Sequence, residues 1–134
     1  MQVQPYLNFG GRFDEAMAFY GKVMGAKVTF VMRYKDAPPE HNISPEWADK
    51  VMHANIDFGD SQIMASDGQQ GHKPNFDGFS LSVGAVSAEE GKRIFEALAE
   101  GGQVMLPYQK TFWAEGFGML IDRFGLGWMV NCEH

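Results

Sequence analysis

His53 lies two residues before Asn55 in the run Val51-Met52-His53-Ala54-Asn55-Ile56. An imidazole is the side chain best suited to proton transfer near neutral pH. If the run is a strand, residues 53 and 55 point the same way. Pairing Phe58 with Ser61 across Gly59-Asp60 then puts both on the side shared by Met64. Two readings of His53 stand together: an acid/base or donor to a small-molecule ligand, and a half-buried imidazole bonded to a backbone carbonyl. Asn55 and Asn131 either orient a polar ligand or satisfy loop backbone groups. Trp113 and Glu115 fall in the connection before the seventh expected strand. There they form an aromatic wall and a carboxylate at a cavity mouth, or they are packing and surface charge. Asp67 and Glu115 are the carboxylates available to work with His53 in a metal-independent isomerase or lyase.

Other chemistries lack the residues they need. His41, His72 and His134 are placed in loops or at the terminus without ligand spacing, and no G-x-S-x-G, Walker or dinucleotide fingerprint occurs among the 16 glycines. A net charge of −6 with scattered lysines and arginines gives no basic face for nucleic acid. With Cys132 the single cysteine there is no internal disulfide, which fits a reducing compartment. Met1-Gln2-Val3-Gln4-Pro5 has no basic or apolar leader character, and no later run approaches a membrane span, so a cytoplasmic protein is expected. At 134 residues, 45% hydrophobic and 21% charged, the chain has the balance of one ordinary globular domain.

The elements that must position these residues come in a repeated order. A strand from Val3 to Phe9 ends at Gly10-Gly11. A helix follows, with Ala16, Phe19, Tyr20 and Val23 on its apolar face and Gly25 as its cap. Ala26 to Tyr34 is the next strand; a loop from Lys35 to Lys50 precedes a hairpin of Val51–Phe58 and Gln62–Ser66. After the loop 68–75 the order recurs. A strand from Gly78 to Val83 leads to a helix that Ser87 opens with a capping box to Glu90, its face made by Ile94, Phe95 and Leu98. Strands Gln103–Tyr108, Gly116–Asp122 and Gly127–Cys132 complete the second module. This is a β-α-β-β-β duplication, with modules at about 1–67 and 77–134, and Phe19, Phe95 and Trp128 are assigned to its core.

Three groups of residues carry a family resemblance. They are Pro5-Tyr6-Leu7 with Phe9-Gly10-Gly11 and Glu15 to Tyr20; His53-Ala54-Asn55-Ile56 with Ile63 to Asp67; and Glu90 to Arg93 with Thr111-Phe112-Trp113-Ala114, Gly116-Phe117-Gly118, Asp122 to Gly125 and Trp128 to Asn131. In these, over nearly its whole length, the chain resembles the PhnB-like branch of the vicinal oxygen chelate superfamily, which includes glyoxalases and bleomycin resistance proteins. Glu115 departs from the pattern, which has a histidine after Trp-Ala. The resemblance implies an α+β fold of two modules forming a curved mixed sheet with helices on its convex side, and a homodimer with its cups near the subunit junction. It places the superfamily's four metal-ligand positions at Pro5, Met64, near Gly78 and at Met129, none of which suits zinc, nickel or iron. No metal and no other cofactor is therefore expected. The demethylubiquinone methyltransferase label attached to this branch is set aside, since no nucleotide-binding βαβ unit for S-adenosylmethionine is present. The expected function is metal-free binding of a small molecule by His53, Asn55, Met64, Trp113, Glu115, Met129 and Asn131, with no nucleic acid or membrane partner. The alternatives are the isomerase or lyase above and a protein-interaction subunit. The nine methionines suit an adaptable apolar pocket.

Overall fold

The computed structural model describes residues 1–38 and 42–134, so the loop position expected for His41 lies outside the described residues. Two compact units divide the chain, Met1–Pro74 and Asn75–His134. The first holds β1 (Tyr6–Asn8), α1 (Phe13–Met24), β2 (Lys27–Arg33), β3 (Val51–Asp57) and β4 (Gln62–Ser66). The second holds β5 (Leu81–Gly84), α2 (Ala88–Ala99), β6 (Gln103–Gln109), β7 (Ala114–Ile121) and β8 (Gly127–Glu133). Each unit closes a four-stranded mixed sheet, in the order β1-β4-β3-β2 or β5-β8-β7-β6. One pair in each is parallel, β1 with β4 and β5 with β8, and the others are antiparallel. The duplicated β-α-β-β-β architecture, an α+β fold, is thus present in full.

Three expected elements shift, for physical reasons. The strand expected over Val3–Phe9 shrinks to β1, because Pro5 has no N–H to give a ladder, although its carbonyl accepts from Met64 N at 2.9 Å. The strand expected from Gly78 begins only at Leu81, since Gly78 takes φ +85° in a turn. In α1 the core position expected for Phe19 is taken by Met17; Phe19 is half-buried, while Phe13, Ala16, Met17, Tyr20 and Val23 face inward. The capping positions stand as read: Gly25 is left-handed at φ 73°, and Ser87 Oγ accepts from Glu90 N at 3.1 Å.

In the first unit the sheet's buried side carries Leu7, Val51, Ala54, Ile56, Ile63 and Ala65, and α1 brings its apolar side to the same core. In the second, Ala114, Leu120, Trp128, Val130 and Cys132 are buried, with Ile94, Phe95 and Leu98 of α2. Each large apolar side chain so buried contributes about 1.5–3 kcal/mol. Tyr108 fills the space over Gly91 and Gly116, where a Cβ would collide with its hydroxyl, and donates to the Ala88 carbonyl at 2.9 Å. No helix among the described residues is long and apolar enough to cross a membrane.

A buried carboxylate organises each unit. Asp67, 2% exposed, accepts from Gly11 N (2.9 Å) and Phe13 N (2.8 Å) through Oδ1, and from Val51 N (2.8 Å) through Oδ2. Arg12, at the N-cap of α1, gives no side-chain cap, so the acceptor for the helix's first N–H comes from Asp67, 54 residues away in sequence. Asp122 does the equivalent locally, taking Phe124 N, Leu126 N and the Trp128 indole N–H at 2.8, 3.1 and 2.9 Å. Replacing Asp67 with Ala strands three backbone donors, two of them buried. The expected loss is about 3–5 kcal/mol, read as a lower urea midpoint at an unchanged m value; a loss under about 1 kcal/mol would contradict the role assigned to Asp67.

Candidate functional site

On the first unit's sheet, the side opposite the core carries a hydrogen-bonded string of three side chains. The Tyr6 hydroxyl lies 2.9 Å from His53 Nδ1, and His53 Nε2 lies 3.2 Å from Asn55 Oδ1. The imidazole sits between two rings, with centroids 5.5 Å from Tyr6 and 6.1 Å from Phe30. Cross-strand register explains the grouping. Tyr6 of β1 pairs with Met64 of β4, Met64 with Asn55 of β3, and Asn55 with Phe30 of β2, so four strands contribute one row.

His53 reaches this side through a break in strand parity. Val51 and Ala54 are both buried although three residues apart, which simple alternation forbids. The ladder shifts between Met32↔His53 and Arg33↔Val51, leaving Met52 as the extra residue. Such a bulge re-aims the side chains next to it. Counting parity from Val51 puts His53 in the core; counting from the hairpin end, through Asn55 and Met64, puts it outside, where it stands.

The second unit holds the other four expected residues. Met129 pairs with Met119 and Ser82, and Asn131 with Phe117 and Gly84, all on the side opposite the core. Trp128 is on the buried side, as expected. Glu115 is not in the connection before β7, as expected, but is its second residue, at a register shift between Ala114 and Gly116. The connection ends at Trp113, which is half exposed and stacks edge-on against Phe112 and Phe117, at 4.8 and 5.7 Å. Glu115 accepts from His134 Nδ1 at 2.6 Å, and that bond, then the charge of the imidazole and of Lys110, holds its carboxyl below the usual carboxylate range. His134, expected to be a bystander at the terminus, is therefore its partner.

The acid–base assignments change accordingly. Asp67, one of the carboxylates expected to serve His53, is buried and committed to three backbone N–H groups. The partner of His53 is instead Tyr6, which the sequence reading did not single out. Its only signal was its place beside Pro5, and the parallel β1–β4 register that aligns it with Met64 is a long-range pairing.

The superfamily's metal does not fit the donors present. Met64 and Met129 are thioethers, Pro5 has only a backbone carbonyl, and Gly78 lies in a turn before its strand. Ser82, which pairs with Met129, is a poor substitute. Among the described residues no group of three His, Cys, Asp or Glu side chains is arranged to hold a metal.

This duplicated fold, with its residues so placed, is that of a known family. A family model described as 3-demethylubiquinone-9 3-methyltransferase matches residues 1–131, and the chain belongs to that family, the PhnB-like group. Protein YjdN of Escherichia coli K12 is 36% identical over 139 residues, covering 98% of this chain and 95% of that protein. The crystal structure of protein PA1353 from Pseudomonas aeruginosa superposes with a TM-score of 0.87 at 41% identity, covering 99% and 98% of the two chains. A PhnB protein from Bacillus cereus gives 0.82 at 25% identity, covering 98% and 99%. A glyoxylase/bleomycin resistance protein/dioxygenase domain from Frankia shares the fold, with a TM-score of 0.68 at 16% identity and coverage of 99% and 95%.

Among the differences between the two units is one equivalent cross-strand pair. In the first, Asn8 pairs with Ser66, whose hydroxyl donates to Asn8 Oδ1 at 2.8 Å. In the second, Gly84 stands opposite Asn131, whose buried Oδ1 has no hydrogen-bond partner among the described residues, and a Cβ on Gly84 would meet none of them within 4 Å. Gly84→Asn removes the backbone freedom of a strand glycine and adds a donor. It is expected to raise stability by about 1–2 kcal/mol, seen as a higher melting temperature, whereas an unchanged or lower value contradicts this account of Asn131.

Proposed function

We propose that this protein binds a small oxygenated molecule without a metal, on the side of the first unit's sheet opposite its core. The observation that carries this reading is the Tyr6–His53–Asn55 string, with Phe30 beside the imidazole and Met64 between Tyr6 and Asn55 in the cross-strand row. A few convergent polar groups on an apolar floor are the usual composition of a ligand site. On the second unit, taken by itself, Trp113, Glu115, Met129 and Asn131 are proposed as ligand-binding residues. The family description names a methyl transfer. The mixed sheets, each with a single parallel pair, are not the doubly wound parallel sheet that holds nucleotide cofactors, and this favours binding over that activity.

The proposal includes a homodimer in the cytoplasm. Val28, Phe30 and Val31 on edge strand β2 are 40%, 45% and 42% exposed, and Val104 and Met105 on edge strand β6 are 47% and 54% exposed. Apolar side chains along an unpaired edge favour a covering partner, and a second copy is the simplest one. The buried free thiol of Cys132 suits a reducing compartment.

Native mass spectrometry of untagged protein, purified without added ligand, tests the binding reading. A retained small organic molecule that His53→Ala releases is the expected result. One equivalent of zinc, nickel, manganese or iron, with a melting temperature that falls on chelation, refutes the metal-free part. Sedimentation at micromolar concentration is expected to show a dimer; a lone 15.0 kDa species rules it out.

A further inference from the structure

We propose that Tyr6 is the acid–base group of this site, its phenol activated by His53, with Asn55 holding His53 in the tautomer that does so. The inference rests on the binding reading above and adds an activity to it, proton transfer within a small carbonyl compound.

The hydrogen-bond inventory assigns the roles. Asn55 Oδ1 can only accept, so His53 Nε2, 3.2 Å away, carries the ring proton. The neutral ring then has its lone pair on Nδ1, which faces the Tyr6 hydroxyl at 2.9 Å. Tyr6 donates to His53 and His53 donates to Asn55, an order of reacting oxygen, base and orienting acceptor of the kind that activates hydroxyl and thiol groups elsewhere. The flanking rings of Tyr6 and Phe30 limit rotation of the imidazole, and the bulge at Met52 aims it at Tyr6. Tyr6 is 47% exposed, so its oxygen is open to a ligand. Asn55, accepting through Oδ1, still has its Nδ2 hydrogens to offer to a ligand carbonyl.

The step balances without a co-reactant. As Tyr6 Oη takes a proton from the carbon beside a ligand carbonyl, its own proton passes to His53 Nδ1. The C–H electron pair becomes the enolate, and the ring becomes an imidazolium. Returning the proton to a different ligand atom completes an isomerisation and restores the neutral string. Tyr6 touches the reacting atoms, whereas Asn55 is a positioning residue acting through His53.

The test uses the reactivity of the phenol itself, with benzenesulfonyl fluoride as the probe. The Tyr6 oxygen attacks sulfur, the S–O bond forms as S–F breaks, fluoride leaves, and the phenol proton passes to His53. The full chain is labelled and the site and rate are read by peptide mass spectrometry against N-acetyltyrosine amide. Tyr6 is expected to react at least about tenfold faster than the free amide, and His53→Gln to remove that advantage. Asn55→Leu is expected to remove it too, and Asn55→Asp, which keeps the acceptor, to restore it, a rescue that a merely structural Asn55 would not show. Should His53→Gln fail to fold, the two Asn55 variants decide. A Tyr6 no faster than the free amide, or a rate that Asn55→Leu leaves unchanged, overturns the proposal. A retained ligand with an unreactive Tyr6 overturns the relay alone, and a reactive Tyr6 without a retained ligand overturns the binding reading alone.

Discussion

The Asp67 carboxylate ties together three places that are far apart in sequence: the Gly10-Gly11 turn, the first N–H of α1 and the start of β3. A carboxylate out of water is tolerated only when its oxygens are fully hydrogen-bonded, and here backbone N–H groups do this from two sides. The exchange is mutual, because those N–H groups have no other acceptor in their own elements. Since Val51 is held from this point while the hairpin end of β3 is held by β4, the extra residue Met52 must be absorbed between them. The outward position of His53 is thus a downstream effect of the buried clamp.

The two units apply one plan to different ends. The row Tyr6, Met64 and Asn55 in the first corresponds to Ser82, Met129 and Met119 in the second. The next row pairs Asn8 with Ser66 in one and Gly84 with Asn131 in the other. In the first of these rows the first unit sets a phenol and an amide beside one thioether, and the second a hydroxyl beside two; the Phe112–Trp113–Phe117 aromatic cluster also lies in the second. Met64 and Met129, two of the four positions that the resemblance gives to metal ligands, carry thioethers, which prefer apolar company.

Much of the fold was legible because its signals are local. The two helices have clear periodicity and caps, Gly25 and Ser87 among them, and the repeated order of elements shows the duplication without any knowledge of contacts. Strand ends were less legible. At β1 and β5 the cause was a proline that cannot donate and a glycine already turning, which propensity reads too generously. In the site, His53, Asn55 and Met64 were placed on one side by hairpin parity, which is local information. Tyr6 was missed because its alignment with Met64 is a parallel pairing across the whole unit. Asp67 was taken for a free carboxylate because its three partners are backbone groups, which have no signature in a sequence. The resemblance supplied the family, and the particular hydrogen bonds came from the fold.

The β1–β4 pairing also has a kinetic meaning. The hairpin of β3 and β4 closes over a few residues, whereas the Ser66–Asn8 contact joins positions 58 apart in sequence. Loop-closure entropy rises with that separation, and non-local pairings of this kind come late and slow a chain's approach to the native state. A three-residue strand gains little from its own ladder, so β1 is expected to dock onto a sheet already assembled. During that interval β4 is an open edge, a place where another chain can pair in error, and the speed with which the N-terminal segment returns sets how long the nascent protein is exposed to it.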